Sequence, residues 1–311
     1  MITAISLFAG IGGIDIAFRQ AGFEVIWANE IDQYACVTYR NNFNNALSET
    51  DIKSVDEKTV PESDVLFGGF PCQSFSVMGY KRGFKDPRGN LFFEIVRIAE
   101  QTRPKVVLLE NVKNLIYHDN GKTFITIHNT LAKLGYYIKY SVLNASTHGN
   151  IPQERSRTFI AAFSDYEMMS KFLFPDEIPL TVGIEDILNR SSKQNDAFYY
   201  RSVNKYYEAL NCKIPDKTGI YRIDDSGIAT RKYVMSPTLK ANMGTYPDRV
   251  PIIRDDFGIR KLTPYECLAL QGFPKDFRFR DIPFEAAYKQ CGNTVCVPVV
   301  RRIAENIHKV F

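Results

Sequence analysis

The residue types able to do chemistry begin with one thiol. Cys72 sits in Gly68-Gly69-Phe70-Pro71-Cys72-Gln73-Ser74-Phe75-Ser76, directly after the apolar run Asp64-Val65-Leu66-Phe67. That run reads as a buried strand ending in a glycine-rich turn. Pro71 has a fixed φ and no amide hydrogen, so neither a strand ladder nor a helix interior continues through it. A cysteine held beyond a strand end in an open α/β sheet is placed as a nucleophile. A buried structural thiol is the plainer reading of a lone cysteine. Here it is the weaker one, because a Pro-Cys-Gln turn between glycines makes a poor core and Gln73, Ser74 and Ser76 put polar groups beside the sulfur.

A carboxyl follows at a comparable place. Glu110-Asn111-Val112 ends the apolar run Pro104-Lys105-Val106-Val107-Leu108-Leu109, which puts Glu110 at the same carboxyl edge of a sheet as Cys72. Apolar walls around such a group favour its protonated form and suit it to proton donation. Arg155 and Arg157, in Gln153-Glu154-Arg155-Ser156-Arg157, point to one side if the chain is extended. Two guanidiniums so arranged can grip a phosphate, a carboxylate or the carbonyl of a base; by spacing alone, surface salt bridges are an equal reading.

These groups need elements to hold them. Thr3 to Phe8 reads as a first strand, Ala9-Gly10-Ile11-Gly12-Gly13 as a turn, and Ile14 to Gln20 as a helix. Strand, glycine turn and helix bring backbone close to a ligand at a helix N-terminus, although the glycine spacing is not the dinucleotide fingerprint. A second strand, Phe23 to Ala28, runs into Asn29-Glu30-Ile31-Asp32, where Glu30 is placed to accept bonds from ribose hydroxyls. Thr50-Asp51-Ile52 after a third strand is placed to reach an adenine amino group, although a Thr-Asp pair by itself is more often a cap. Val77 to Gly89 carries Lys81, Arg82, Lys85 and Arg88 between glycines and aromatics, a basic loop able to close over a phosphate backbone. Tyr136 to Leu143 predicts a strand, Asn144 to Gly149 a turn, and Gly292-Asn293-Thr294 a turn opening a helix, which is a cradle for an anion.

From about Pro175 the alternation of strand and helix stops. Ser191 to Gly258 interleaves Arg222, Arg231, Lys232, Lys240, Arg249 and Arg254 with tyrosines, as a small β-rich domain with a groove-reading face would. Solvated charge is the default reading of such a run.

The motifs Phe8 to Gly13, Gly68 to Ser76, Glu110-Asn111-Val112, Gln153-x-Arg155-x-Arg157, Thr238-Leu239-Lys240-Ala241 and Gly292-Asn293-Thr294 together resemble the DNA (cytosine-5)-methyltransferases, in family order and over nearly the whole chain. The resemblance implies a class I S-adenosylmethionine-dependent methyltransferase fold: α/β, a Rossmann-like mixed, mostly parallel sheet with helices on both faces. A small irregular β-rich target-recognition domain is added to it. The implied division is a large domain of residues 1–180 and 288–311 and a small one of 181–287. S-adenosylmethionine would be held by Phe8, Gly10, Gly12, Gly13, Glu30, Ile31, Asp51, Ile52, Asn293 and Thr294. Cys72 would add to a flipped-out cytosine, Glu110 would serve ring nitrogen 3, Arg155 would hold the base carbonyl or tune the thiol, and Arg157 would support Glu110 or the loop. Gln73, Ser76, Lys81, Arg82, Arg88, Thr238 and Lys240 would contact double-stranded DNA. The resemblance further implies a bacterial enzyme with a cognate restriction endonuclease acting on the same site; a monomer is expected and, from an N-terminus without a leader pattern, a cytoplasmic one.

Composition sets wider bounds. The chain has 311 residues and a formal net charge of +4, compatible with a nucleic-acid partner but no proof of one. The N-terminus lacks a basic segment before a long apolar run, so no signal peptide or membrane span is expected. Six cysteines and four histidines form no zinc spacing, so no metal is expected. Three rivals stand: a tRNA cytosine-5 methyltransferase with the same motifs, a catalytically silent DNA-binding relative, and a nicotinamide dehydrogenase. Pro-Cys-Gln and the glycine spacing speak against the last.

Overall fold

The computed structural model describes residues 1–70, 91–223, 230–245 and 249–311. Cys72 and the DNA-facing expectations at Gln73, Ser76, Lys81, Arg82 and Arg88 lie outside the described residues. In chain order the strands are β1 (Thr3–Leu7), β2 (Glu24–Asn29), β3 (Ala46–Ser48), β4 (Val65–Gly69), β5 (Val106–Val112), β6 (Tyr137–Asn144) and β7 (Gln153–Glu154). They continue with β8 (Ser156–Phe163), β9 (Ile220–Ile223), β10 (Thr230–Tyr233), β11 (Ser236–Pro237), β12 (Ile252–Asp255) and β13 (Gly258–Lys261). Four helices bear on the site: α1 (Gly13–Gln20), α2 (Gln33–Arg40), α3 (Leu91–Thr102) and α4 (Lys122–Lys133).

The chain divides into two compact units. The first comprises Met1–Asn144, Ser156–Asp176 and Val299–Phe311; the second comprises Ala145–Arg155 and Glu177–Pro298. Relative to the boundaries drawn from sequence, 145–155, 177–180 and 288–298 count with the second unit.

In the first unit a seven-stranded sheet runs β3-β2-β1-β4-β5-β8-β6. Pairings from β3 through β5 are parallel, while β8 is antiparallel to β5 and β6. The side chains of β5 from Val106 to Leu109 are almost wholly buried, as strands covered on both faces require. Alternation decides what covers each face. Leu66 and Val107 join a core with Phe92, Ile95 and Ile98 of α3 and Ile127 and Leu131 of α4. Phe67, one residue on, stacks on Phe18 of α1 with centroids 4.4 Å apart. Helices therefore lie on both faces, and the sheet is mixed and mostly parallel, as expected.

The order reverses between β1 and β4: the chain builds outward through β2 and β3, then returns to the other side of β1 at β4. Ligands of open α/β sheets bind beyond the carboxyl ends of strands at such a switch point. The ends involved are those of β1 at Leu7, where the glycine turn follows, and of β4 at Gly69. Gly68 is required there, since a Cβ on it would stand 2.7 Å from the Leu7 carbonyl oxygen.

In the second unit β10-β9-β12-β13 form an antiparallel sheet, and β11 pairs with β7. Tyr200, Leu210, Ile214, Tyr221, Ile252 and Ile259 are among its core. Residues 145–149, expected as a turn, form a short helix. Thr263 caps the helix Pro264–Ala269 in a box with Glu266, and proline occupies the first turn.

Candidate active site

The glycine turn is built by backbone that few residues accept. Phe8, Gly10 and Gly12 all have positive φ, at 54°, 57° and 80°. For Phe8 this is a strained conformation of the kind that collects at functional sites. Gly12 is held by a bond from its amide to the Ala9 carbonyl at 2.9 Å, and a Cβ on it would lie 2.3 Å from the Phe43 ring. Around the Cβ position of Gly10, by contrast, no atom of the other described residues lies within 4 Å. Packing explains Gly12; open space beside the backbone is what Gly10 provides.

Glu30 folds back on this turn. Its Oε2 accepts from the Gly10 amide at 2.8 Å, and its Oε1 accepts from the amides of Ile31 and Asp32 at 2.8 Å each. A carboxylate has about four lone-pair positions, so acceptor capacity remains for a hydroxyl. Ile31 is 60% exposed, an apolar side chain standing in solvent next to that carboxylate. Asn29, buried beneath, donates to the carbonyls of Ser48 and Thr50 and so fixes the approach of Asp51. Asp51 caps the short turn Ile52–Ser54, accepting from the Lys53 amide. Ile52 is buried in the core, which leaves its main chain as what it can offer a ligand.

On the other side of β4, Glu110 pairs in register with Gly69 and Phe159, and Val112 pairs with Arg157. Arg157 is thus a diagonal neighbour of Glu110 on one face. Its Nε lies 3.0 Å from Glu110 Oε1, both side chains being mostly buried. Glu110 Oε2 faces Gly69, where a Cβ would come within 3.0 Å of it. The opposite face shows a residue whose role the sequence reading missed. Asn111 is buried, and its amide donates to the Phe70 carbonyl at 2.8 Å while its oxygen accepts from the Val112 amide. The Asn111 side chain thus satisfies the Phe70 carbonyl just past the end of β4. A polar residue at an inward position of an apolar strand was the available signal.

Arg155 does something else. It is 2% exposed, and it donates to the carbonyls of Leu239 at 2.9 Å, Gly292 at 3.2 Å and Thr294. The shared side inferred from an extended chain does not hold, because β7 ends at Glu154 and β8 begins at Ser156, with Arg155 between them. The segment Gly292-Asn293-Thr294 also differs from expectation. It closes the helix Phe284–Asn293, and the next helix starts at Val297. A helix C-terminus presents carbonyls and negative potential, and the carbonyls of Gly292 and Thr294 receive the Arg155 guanidinium. Gly292 is forced by close approach, since a Cβ there would lie 2.2 Å from the Lys240 carbonyl carbon. Gln153 reinforces the same join, donating to the Leu270 carbonyl and accepting from the Leu239 amide.

Of the expected DNA-facing residues in the second unit, Thr238 donates its hydroxyl to the Glu154 carbonyl, and Lys240 is exposed. Lys232 and Arg254 turn to protein partners, Lys232 to Asp216 and Arg254 to the Ile214 carbonyl. Among the described residues no cluster of His, Cys, Asp or Glu is arranged to hold a metal ion, and no helix is long and apolar enough to cross a membrane.

Comparison with known proteins agrees with this geometry. Residues 2–309 match the model of the C-5 cytosine-specific DNA methylase family. The chain is 48% identical over 312 residues to the Type II methyltransferase M.Bsp6I of Bacillus sp. (strain RFL6), covering 99% of each. It is 36% identical over 307 residues to the Type II methyltransferase M.HhaI of Haemophilus parahaemolyticus, covering 97% of this chain and 93% of that one. A crystal structure of a putative DNA modification methyltransferase encoded within a prophage of E. coli superposes with a TM-score of 0.76 at 23% identity, over 100% of this chain and 99% of that chain, and so shares the fold. A glycine turn at a switch point, a carboxyl–guanidinium pair on the neighbouring strands and a match from end to end have one explanation: the chain belongs to the C-5 cytosine-specific DNA methylase family.

Proposed function

We propose that this protein transfers a methyl group from S-adenosylmethionine to carbon 5 of a cytosine within a specific sequence of double-stranded DNA, through a transient bond between Cys72 and carbon 6. The observation that carries the reading is the arrangement around β4. Its carboxyl end lies three residues before Cys72 in the chain, with the glycine turn after β1 and Glu30 after β2 on one side and the Glu110–Arg157 pair on β5 and β8 on the other.

The described residues fit the cofactor. The open space at Gly10, the acceptor capacity of Glu30, the exposed Ile31 and the Asp51 carboxylate suit a small-molecule donor bearing a ribose and an apolar-faced ring. When bound, S-adenosylmethionine supplies an electrophilic methyl group for an activated carbon 5. The chain activates that carbon. The Cys72 thiolate adds to carbon 6, and the displaced electron pair makes carbon 5 nucleophilic. Glu110 shares a proton with ring nitrogen 3, where charge would otherwise build. Arg157, already joined to Glu110, is the guanidinium assigned to the base carbonyl. Arg155, committed to main-chain carbonyls, is assigned to positioning Leu239 and the 292–294 segment. The carbon 5 proton then leaves to a base, water in this reading. Its electron pair restores the ring double bond as the carbon 6–sulfur bond breaks and the thiolate returns. A stacked base cannot meet these groups, so the target cytosine is extruded from the duplex. By likeness to the Type II methyltransferases, the methylated site is one that a companion endonuclease would cut.

The test is transfer of labelled methyl from S-adenosylmethionine to genomic DNA and, in parallel, to tRNA, followed by identification of the labelled base. Label in 5-methylcytosine of DNA, lost in Cys72→Ala while cofactor binding persists, is the expected result. Label in tRNA alone would transfer the same chemistry to the other polymer, and unimpaired turnover by Cys72→Ala would remove the nucleophile.

A further inference from the structure

Helix α1 buries a carboxylate that the chemistry above does not use. Asp15 is 0% exposed, one turn after Gly12. Its Oδ2 accepts from the Ser6 hydroxyl of β1 at 3.0 Å, and its Oδ1 accepts from the Tyr39 hydroxyl of α2 at 2.6 Å. Tyr39 is itself fully buried and stacks on Phe43 with centroids 4.3 Å apart. The Phe43 ring fills the place a Cβ of Gly12 would take, and Tyr39 Cε2 lies 3.2 Å from the same point. Asn45 donates to the Tyr39 hydroxyl, and Arg19 of α1 donates to Asn45 at 2.7 Å and sits over Phe43. One side chain thereby ties β1, which leads into Phe8, to α1, which starts at the glycine turn, and to α2, which follows Glu30.

We infer that Asp15 is a positioning residue for the cofactor: through Ser6 and Tyr39 it fixes the Phe43–Tyr39 plate on which the Gly10–Gly13 turn rests. This rests on the reading that S-adenosylmethionine binds at that turn. Stability alone does not account for the residue. Burial pushes the Asp15 carboxyl up to about 6, with the Tyr39 and Ser6 bonds opposing the rise. A carboxyl raised in the folded state favours folding less as pH rises from its ordinary value through about 6, so at pH 8 the ionised group weakens the fold. The groups facing it are Tyr39 from α2, whose hydroxyl is pushed far up by burial and by Asp15, and Arg19 from α1; Ser6 from β1 carries no charge.

Asp15→Asn keeps the shape, lifts the cost of the buried charge and removes one of the two acceptors. The expected result, by calorimetry with S-adenosylhomocysteine at pH 8, is a Kd about tenfold weaker than wild type with a Tm equal or higher. Wild-type affinity should weaken as pH falls through about 6 and approach that of Asp15→Asn, whose own profile is flat across that window. Tyr39→Phe, which removes only the hydroxyl, should weaken binding in the same sense, and the two changes should be non-additive. The inference is overturned if Asp15→Asn binds within twofold of wild type, keeps the wild-type pH profile, or loses affinity only alongside Tm. Wild type that binds no S-adenosylhomocysteine at any pH would instead sink the cofactor reading beneath it, and the inference with it.

Discussion

At the residue scale, the Glu110–Arg157 pair shows how the sheet builds a reactive group. Two side chains distant in sequence become diagonal neighbours because β5 and β8 are antiparallel in one particular register. Glu110→Gln retains an oxygen for Arg157 but cannot exchange a proton with the base. Single-turnover methyl transfer should slow by about 10²–10⁴-fold, the usual contribution of a positioned acid or base, with DNA affinity nearly unchanged. A rate close to wild type with weakened DNA binding would make the pair a structural one. Glu110 was legible in the sequence because the strand before it is wholly apolar. The division of labour between the arginines was not: spacing says that two guanidiniums are near each other, and only the break between β7 and β8 says that they have different partners.

At the scale of elements, the switch point depends on how closely β1 and β4 approach. Gly68→Ala would press a methyl group against the Leu7 carbonyl at 2.7 Å, backbone against backbone, with no flexible side chain to yield. Overpacking of this kind costs about 1–3 kcal/mol, and the urea midpoint of the variant should fall accordingly. A midpoint equal to wild type would mean that the two strands separate more easily than their ladder suggests. The same scale explains the reversal at Gly292-Asn293-Thr294. Glycine and asparagine belong as naturally to the end of a helix as to a turn before one. Which end they occupy sets the sign of the local potential, and so whether an anion or the Arg155 guanidinium is received.

At the scale of the whole molecule, the chain enters the second unit twice, with Ala145–Arg155 and with Glu177–Pro298, and ends in the first, so each unit needs its own core. That of the second unit is partly ionic. Arg260 is fully buried and bonds Asp255 at 2.7 Å and Glu266 at 2.7 and 2.8 Å, while Tyr199 donates to Asp255 at 2.8 Å. Removing one partner of a buried ion pair strands the others, at about 3–5 kcal/mol. Arg260→Ala should therefore unfold the second unit at lower urea. Trp27, the chain's one tryptophan, lies in β2 of the first unit, so its fluorescence reports that unit while circular dichroism reports both. The circular-dichroism transition should move down and separate from the fluorescence transition; unmoved curves would show that the ionic core contributes little.

The sequence by itself determined the family and the class of fold, and it supplied the residues on which the proposed chemistry rests. Cys72 after Pro71, Glu110 after an apolar strand, and the glycine turn followed by Glu30 are local patterns, each within the reach of one strand and its loop, where side-chain period and turn residues speak directly. Only the tertiary structure decided which partners those groups meet. Arg157 beside Glu110, Asn111 on the Phe70 carbonyl, Arg155 on the carbonyls of Leu239 and Gly292, and Asp15 beneath the glycine turn are all long-range pairings. Such pairings follow from strand register and helix packing, where a slip of one residue turns a side chain to the opposite face, and no local spacing records that choice.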